Sequence, residues 1–121
     1  MKILNEDEYE EMAAAFQCIQ IQALYKSLKE NGIDSGKIRK ICEDYSFQLG
    51  HTLDNEWIES EEGNIYPVIG FTRQPQSKET NEMYMTNGSF SFSDYAMGNV
   101  SWFFDQNDPD ESPQKHGTNL K

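Results

Sequence analysis

Two long stretches with a helical spacing of apolar residues constrain this sequence more than any other feature. In residues 6–31, apolar side chains recur at intervals of three and four, which is the spacing of one buried helix face. They are Tyr9, Met12, Phe16, Ile19 and Ala23, with a second apolar line at Ile21, Leu24 and Leu28. Asn5 is placed to cap this helix, and Asn31-Gly32 to end it. The face is wide, so it predicts either a central helix or self-association through residues 12–28.

A second helix is predicted over residues 34–53. Its apolar positions keep the same rhythm, at Ile38, Ile41, Cys42, Tyr45, Leu49 and Leu53. Because the turn between the two helices is short, we expect them to form an antiparallel hairpin.

From residue 56 onward the pattern changes to that of strands. Residues 56–59 and 65–72 predict two strands joined by a turn over residues 61–64, and Pro67 indicates an edge or a bulge in the second strand. A short third strand is expected at residues 83–85.

Residues 88–104 allow two interpretations. Phe90 and Phe92 alternate with serine, which is typical of a strand, and a turn of helix and a closing strand over residues 100–104 would then follow. The alternative is a single helix over residues 94–104.

The fold class that these patterns predict is α+β. An N-terminal antiparallel helical hairpin would pack on a small, mostly antiparallel β-sheet, within one domain over residues 1–104. Residues 105–121 lack periodicity and aromatic side chains, so we expect them to form a flexible, disordered acidic tail.

Charge limits the class of partner. The 121 residues include 21 acidic and 10 basic side chains, which gives a formal net charge of −11. Such a charge repels nucleic acid and anionic membranes and attracts basic surfaces. The sequence contains neither a targeting segment nor an apolar run long enough to span a membrane, so we expect a cytoplasmic protein. Cys18 and Cys42 are expected to be reduced, buried thiols.

No motif for phosphate binding, nucleophilic catalysis or zinc binding occurs, so no cofactor and no metal site are predicted, and an enzyme is disfavoured. The best candidate for reactivity is His51, because histidine titrates near neutral pH. With Asp54 it has the spacing of a loose general-base or metal-binding pair, although a histidine near a helix end also interacts favourably with the helix dipole. A pocket between the hairpin and the sheet would be lined by Tyr45, His51, Asp54 and Trp57.

Two further groups are candidates for binding a partner protein. One is the acidic cluster at Glu6, Asp7, Glu10 and Glu11, for which the simpler use is a solvated helix start. The other is an aromatic group that includes Phe90, Phe92, Tyr95 and Trp102, for which the simpler use is core packing.

Three hypotheses on function follow from these observations. The favoured one is a non-catalytic protein-binding module, resembling an immunity protein or inhibitor in its mode of action, that docks on a basic partner. The second is a small ligand- or metal-binding domain, or an enzyme, that uses a pocket around His51. The third is a structural subunit that forms a homodimer through residues 12–28.

Overall fold

A computed structural model describes residues 2–3, 6–73, 83–85 and 90–106, and helices make up most of these ranges. The helices are α1 (Glu6–Glu30), α2 (Ser35–Asn55) and α3 (Phe92–Asp105). The strands are β1 (Lys2–Ile3), β2 (Ile58–Ser60), β3 (Gly63–Ile65) and β4 (Tyr84–Met85).

The first helix ends where the sequence predicts. Beyond Glu30, the N–H of Gly32 donates to the carbonyl oxygen of Lys29 at 3.1 Å, and the N–H of Ile33 donates to that of Leu28 at 3.0 Å. These are the two bonds of a Schellman motif, which satisfies carbonyls at the end of a helix that have no intrahelical partner.

The predicted helical hairpin is confirmed, and α1 and α2 run antiparallel. Near the connecting turn, Ile21 packs with Ile38 and Cys42 in one buried cluster. At the other end, Leu53 packs against a cluster that contains Tyr9 and Ala13. Buried side chains therefore line both ends of the hairpin, although Ile19 of the predicted α1 stripe and Tyr45 of the predicted α2 stripe are about half exposed.

The interpretation of residues 94–104 as one helix is confirmed, and the alternative of a turn followed by a strand is wrong. Ser91 caps α3, because its hydroxyl accepts a hydrogen bond from the N–H of Asp94 at 3.3 Å. Phe92, Ala96, Val100 and Phe103 then form a buried face at helical spacing. The serine–phenylalanine alternation that resembles a strand runs into the first turn of this helix, since Phe92 and Ser93 are its first two residues.

The third helix packs most extensively on α2 and runs antiparallel to it. A Cβ atom at Gly50 would lie 2.7 Å from the backbone nitrogen of Ser93, so the two backbones approach closely there. At the opposite end, the guanidinium of Arg39 donates to the carboxylate of Asp105 at 2.7 and 3.2 Å. The hairpin therefore packs on α3, whereas the sequence assigned this place to the small β-sheet.

The strands confirm the α+β class and correct one predicted boundary. β2 and β3 form an antiparallel hairpin in which Ile58 pairs with Ile65. The strand predicted over residues 65–72 is wrong, because β3 ends at Ile65, shortly before Pro67, which has no N–H to donate. β4, in the predicted third strand, pairs in parallel with β1 and forms an isolated bridge with Phe71, so the described strands make two small sheets.

The interior also contains a buried polar pair and both cysteines. The side-chain amide of Gln17 donates to the carbonyl oxygen of Phe92 at 3.0 Å and accepts from that of Asn99, which ties α1 to α3. Cys18 and Cys42 are buried and unpaired, as the sequence predicts. Burial raises the pKa of Cys18 to about 12, and burial together with the charge of Glu43 raises that of Cys42 to about 11.

Of the predicted tail, the described residues include only Asp105 and Gln106. Asp105 is the last residue of α3, and Gln106 follows it with an N–H that donates to the carbonyl oxygen of Trp102 at 2.9 Å. Residues 107–121 lie outside the described part of the chain.

Candidate partner-binding surface

The four residues predicted to line one pocket lie in different environments. Tyr45 borders a narrow cleft between α1 and α2, whereas Asp54 lines a pocket at the end of α2. His51 is exposed, with its ring Nδ1 3.2 Å from the side-chain nitrogen of Asn55. Trp57 is 50% exposed. The structure therefore does not bring His51 and Asp54 together as a reactive pair.

Asp54 instead holds the start of α3. Its carboxylate accepts hydrogen bonds from the N–H groups of Phe92 and Ser93 at 2.8 and 2.9 Å. The hydroxyls of Ser91 and Ser93 donate to it at 2.8 and 2.7 Å. Burial alone would raise the pKa of Asp54, but the hydrogen bonds from Ser93, Phe92 and Ser91 together lower it below its ordinary value. Asp54 is thus a charged cap for α3.

The described part of the chain contains no group of side chains that could hold a metal ion. Within those residues, no three side chains of histidine, cysteine, aspartate or glutamate come together.

The predicted aromatic group packs inward. Phe92 is 5% exposed and Phe103 is fully buried, while Tyr95 and Trp102 are half-buried. Phe90 lies 4.8 Å from Phe92 and 4.9 Å from Tyr95, measured between ring centroids. Phe92 therefore lacks the exposure that a contact with a partner needs, and the rings supply core volume.

The acidic cluster at the start of α1 is only partly described. Glu10 is half-buried and Glu11 is exposed, while the side chains of Glu6 and Asp7 lie outside the described part of the chain.

The β2–β3 hairpin and its flanks, residues 56–68, form a projecting segment that we call the arm. All six residues of β2 and β3 are exposed. The exposed apolar side chains of the arm are Trp57, Ile58, Ile65, Tyr66 and Val68, with exposures from 50% to 66%. An isolated two-stranded hairpin is marginally stable in water, and a contiguous exposed apolar patch is typical of an interaction surface.

Four of the five exposed apolar side chains of the arm form two pairs across the hairpin, and Val68 belongs to neither pair. Ile58 and Ile65 are direct strand partners, and the rings of Trp57 and Tyr66 lie 6.3 Å apart between centroids. Trp57 and Tyr66 directly flank the paired strands, and extending the alternation of the strands by one residue places the aromatic pair on the face opposite to the isoleucine pair. Both faces are therefore apolar, unlike a hairpin that covers a core with one face.

The arm is also strongly acidic. Residues 41–72 contain seven acidic side chains and neither lysine nor arginine. Four of the seven are the arm glutamates Glu56, Glu59, Glu61 and Glu62, and none of these forms an ion pair within the described residues. The arm therefore combines exposed aromatic and aliphatic groups with negative charge that no ion pair compensates in the described part of the chain.

Two contacts at its ends hold the arm on the helices. At one end, Asp54 is bonded to α3 just before the arm begins. At the other end, the Tyr9 hydroxyl donates to the carbonyl oxygen of Ile69 at 2.5 Å. Burial, together with the nearby charge of Asp54, raises the pKa of Tyr9 to about 12, so this hydroxyl keeps its proton and its role as a donor.

A pocket of about 190 Å³ lies at the base of the arm, between these two contacts. Its polar groups include the carboxylates of Asp54 and Glu56, and the rings of Tyr9 and Tyr66 also line it. The Asp54 carboxylate already accepts four hydrogen bonds from residues 91–93, so Glu56 is the carboxylate of this pocket that lies beside the aromatic rings without those bonds.

The sequence did not reveal the arm as an exposed surface. One signal was available: Trp57-Ile58 and Ile65-Tyr66 place apolar residues on both faces of a short hairpin, whereas a half-buried hairpin alternates apolar and polar residues.

Comparison with known proteins gives no assignment, because no family model, no curated protein and no solved structure matches this chain. Among the described helices, none has both the length and the apolar character needed to cross a membrane.

Proposed function

We propose that this chain is a non-catalytic protein-binding module, acting in the manner of an inhibitor or immunity protein, that docks on a basic partner through the arm. The observation that carries the proposal is the exposure of two apolar cross-strand pairs on opposite faces of an acidic hairpin. We also propose a cytoplasmic location, in keeping with the two unpaired thiols.

The apolar pairs would supply most of the binding free energy. Tryptophan and tyrosine are the residues most often found at energetic hot spots, where truncation costs about 2 kcal/mol or more of binding free energy. Trp57 and Tyr66 already contact each other, so little conformational entropy is lost when both become buried.

The arm glutamates would select the partner and speed its association. Charges at the edge of an interface act mainly on the association rate and on the choice of partner. A second copy of this chain would bring the same four glutamates against its own, so the charge of the arm opposes self-association. A surface rich in lysine and arginine would remove that repulsion.

A capture experiment with matched variants tests this proposal. The immobilised chain would be compared with Trp57→Ala/Tyr66→Ala, which removes one apolar pair, and with Glu59→Gln/Glu61→Gln/Glu62→Gln, which removes three charges. Phe47→Ala is the control for the apolar change, because Phe47 is 50% exposed on α2. Replacing Glu30, Glu43 and Asp44 by their amides is the control for net charge.

We expect the unmodified chain and both controls to capture a basic protein that neither arm variant captures. Raising the salt concentration from about 0.1 M to 1 M shortens the Debye length from about 10 Å to 3 Å, so capture of that protein should also weaken. Capture that both arm variants keep, or that is insensitive to salt, would contradict the proposal. If the charge control also fails to capture the protein, the protein binds any negatively charged surface. That outcome would equally contradict the proposal.

A further inference from the structure

A second cavity lies between α1 and the bridge from Phe71 to Tyr84, and it is independent of the arm. It is a groove of about 400 Å³. Its apolar wall is formed by Met12, Ala15, Phe16 and Ile19 of α1 and by Phe71. The rings of Phe16 and Phe71 contact each other with centroids 5.9 Å apart. This volume is within the range of about 300–1,000 Å³ that is typical of small-molecule sites.

The charge of this groove is opposite to that of the molecule. None of the described lining residues is acidic, and Arg73 supplies one cation. The guanidinium of Arg73 lies over the ring of Tyr84, 5.9 Å from its centroid, and both residues line the groove. A chain with a net charge of −11 thus has an apolar groove whose described lining carries a positive group and no negative one.

We propose that this groove binds a small organic acid with an apolar tail, with the carboxylate on Arg73 and the tail along α1. At about 30 Å³ for each water-sized group, a groove of 400 Å³ holds about a dozen non-hydrogen atoms. Decanoate has this size and composition and is the appropriate probe. This inference does not depend on the proposed function of the arm.

The same surface of α1 offers little to a second copy of the chain. Within residues 12–28, Ile21 is buried, and Leu24 and Leu28 pack against the core cluster. Ile19, at 50% exposure, is the one large apolar side chain of this range that is strongly exposed. A stable interface buries about 800 Å² on each partner, and one exposed isoleucine contributes only a small part of the apolar area that such an interface needs. A concave groove with Arg73 as the cation among its described lining residues suits a small anion better.

Methyl NMR on protein labelled at methionine tests the proposal directly. We expect decanoate to shift the Met12 methyl signal saturably and to leave that of Met97, which is 45% exposed on α3, unchanged. Arg73→Gln should weaken decanoate binding about tenfold. This is the lower end of the effect expected for a hydrogen bond to a charged group, because the guanidinium of Arg73 is exposed. The affinity of decanol, which has no charge, should be the same in both proteins.

A second pair of variants separates occupation of the groove from binding elsewhere. Ala15→Leu places three more carbon atoms in the groove without disfavouring the helix and should weaken the binding of both probes. Ala23→Leu, at an exposed position of α1 that does not line the groove, should leave both unchanged. The proposal is overturned if decanoate causes no saturable shift at Met12. It is also overturned if decanoate and decanol bind equally well, or if light scattering detects a dimer that Ala15→Leu dissociates.

Discussion

Replacing Asp54 should destabilise the whole helical assembly, although the residue is only half-buried. Asp54→Ala removes the acceptor for two backbone N–H groups and two hydroxyls at the start of α3. Losing an N-cap acceptor costs about 0.5–2 kcal/mol, and each hydrogen bond to a charged group contributes about 1.5–3 kcal/mol. Because water reaches part of this site and replaces some of the lost bonds, we expect a total loss of about 2–3 kcal/mol.

Urea unfolding followed by circular dichroism measures this loss. With a denaturant slope of about 1.5 kcal/mol per molar, the midpoint should fall by about 1.5 M for Asp54→Ala and by less for Asp54→Asn, which keeps one acceptor oxygen. Asp44→Ala is the matched control, since it removes another carboxylate of α2 whose ion pair with Lys40 is exposed. We expect no measurable change in midpoint for that control.

The pH dependence of the stability of the same variants tests whether the charge of Asp54 stabilises the folded state. The pKa of Asp54 is lowered by folding from its ordinary value of 3.8, so its charge stabilises the folded state fully above that value. The stabilisation is lost as the pH falls through the lower pKa of the folded protein. The difference in the free energy of unfolding between the natural protein and Asp54→Asn should therefore be constant from about pH 7 to pH 5 and decrease at lower pH. A midpoint loss below about 0.3 M, or a difference that does not change in acid, would refute this role of Asp54.

Three further predictions concern the helix contacts, the thiols and the arm. Gly50→Ala should destabilise the protein by about 2 kcal/mol, because the added methyl group would clash with the backbone of α3. Gly98→Ala should stabilise it by about 0.5–1 kcal/mol, because a Cβ atom there meets no atom within 4 Å and alanine favours the helix. The urea midpoints of the two variants test both predictions. Thiol reagents at mildly alkaline pH should label Cys18 and Cys42 only as fast as the protein unfolds, because burial raises both pKa values, and rapid labelling in the native state would be the contrary result. Gly63→Ala should strain the arm turn, where φ is 122°, and speed hydrogen exchange in β2 and β3 without lowering the global midpoint.

The helical hairpin could be predicted because its signals are local and agree with one another. The apolar positions of α1 recur at helical spacing over its whole length, and Asn31-Gly32 stops it. The third helix was ambiguous for an equally local reason. Its 14 residues begin within a short serine–phenylalanine alternation, and periodicity over so few positions does not separate a helix from a strand.

The site was harder to predict because it depends on contacts between distant residues. His51 and Asp54 are close in sequence, but the hydrogen-bond partners of Asp54 are 37–39 residues away, at the start of α3. Similarly, the residues near Trp57 and Ile58 in the sequence do not indicate that these two side chains are left uncovered by the rest of the fold. Exposure of an apolar residue depends on how the helices pack with one another, and here α3 takes the place on the hairpin that the sequence assigned to the sheet.

The role of Asp54 in stability and the proposed role of the arm are physically connected. Asp54 fixes the chain two residues before Glu56, where the arm begins, and the bond from Tyr9 fixes it again at Ile69. Both anchors belong to the helical core, so the arm starts and ends at fixed points while its strands remain exposed. A surface that is held in place before binding loses less conformational entropy when a partner covers it. Weakening the Asp54 cap should therefore reduce the affinity for a partner as well as the stability, even if the partner never contacts Asp54.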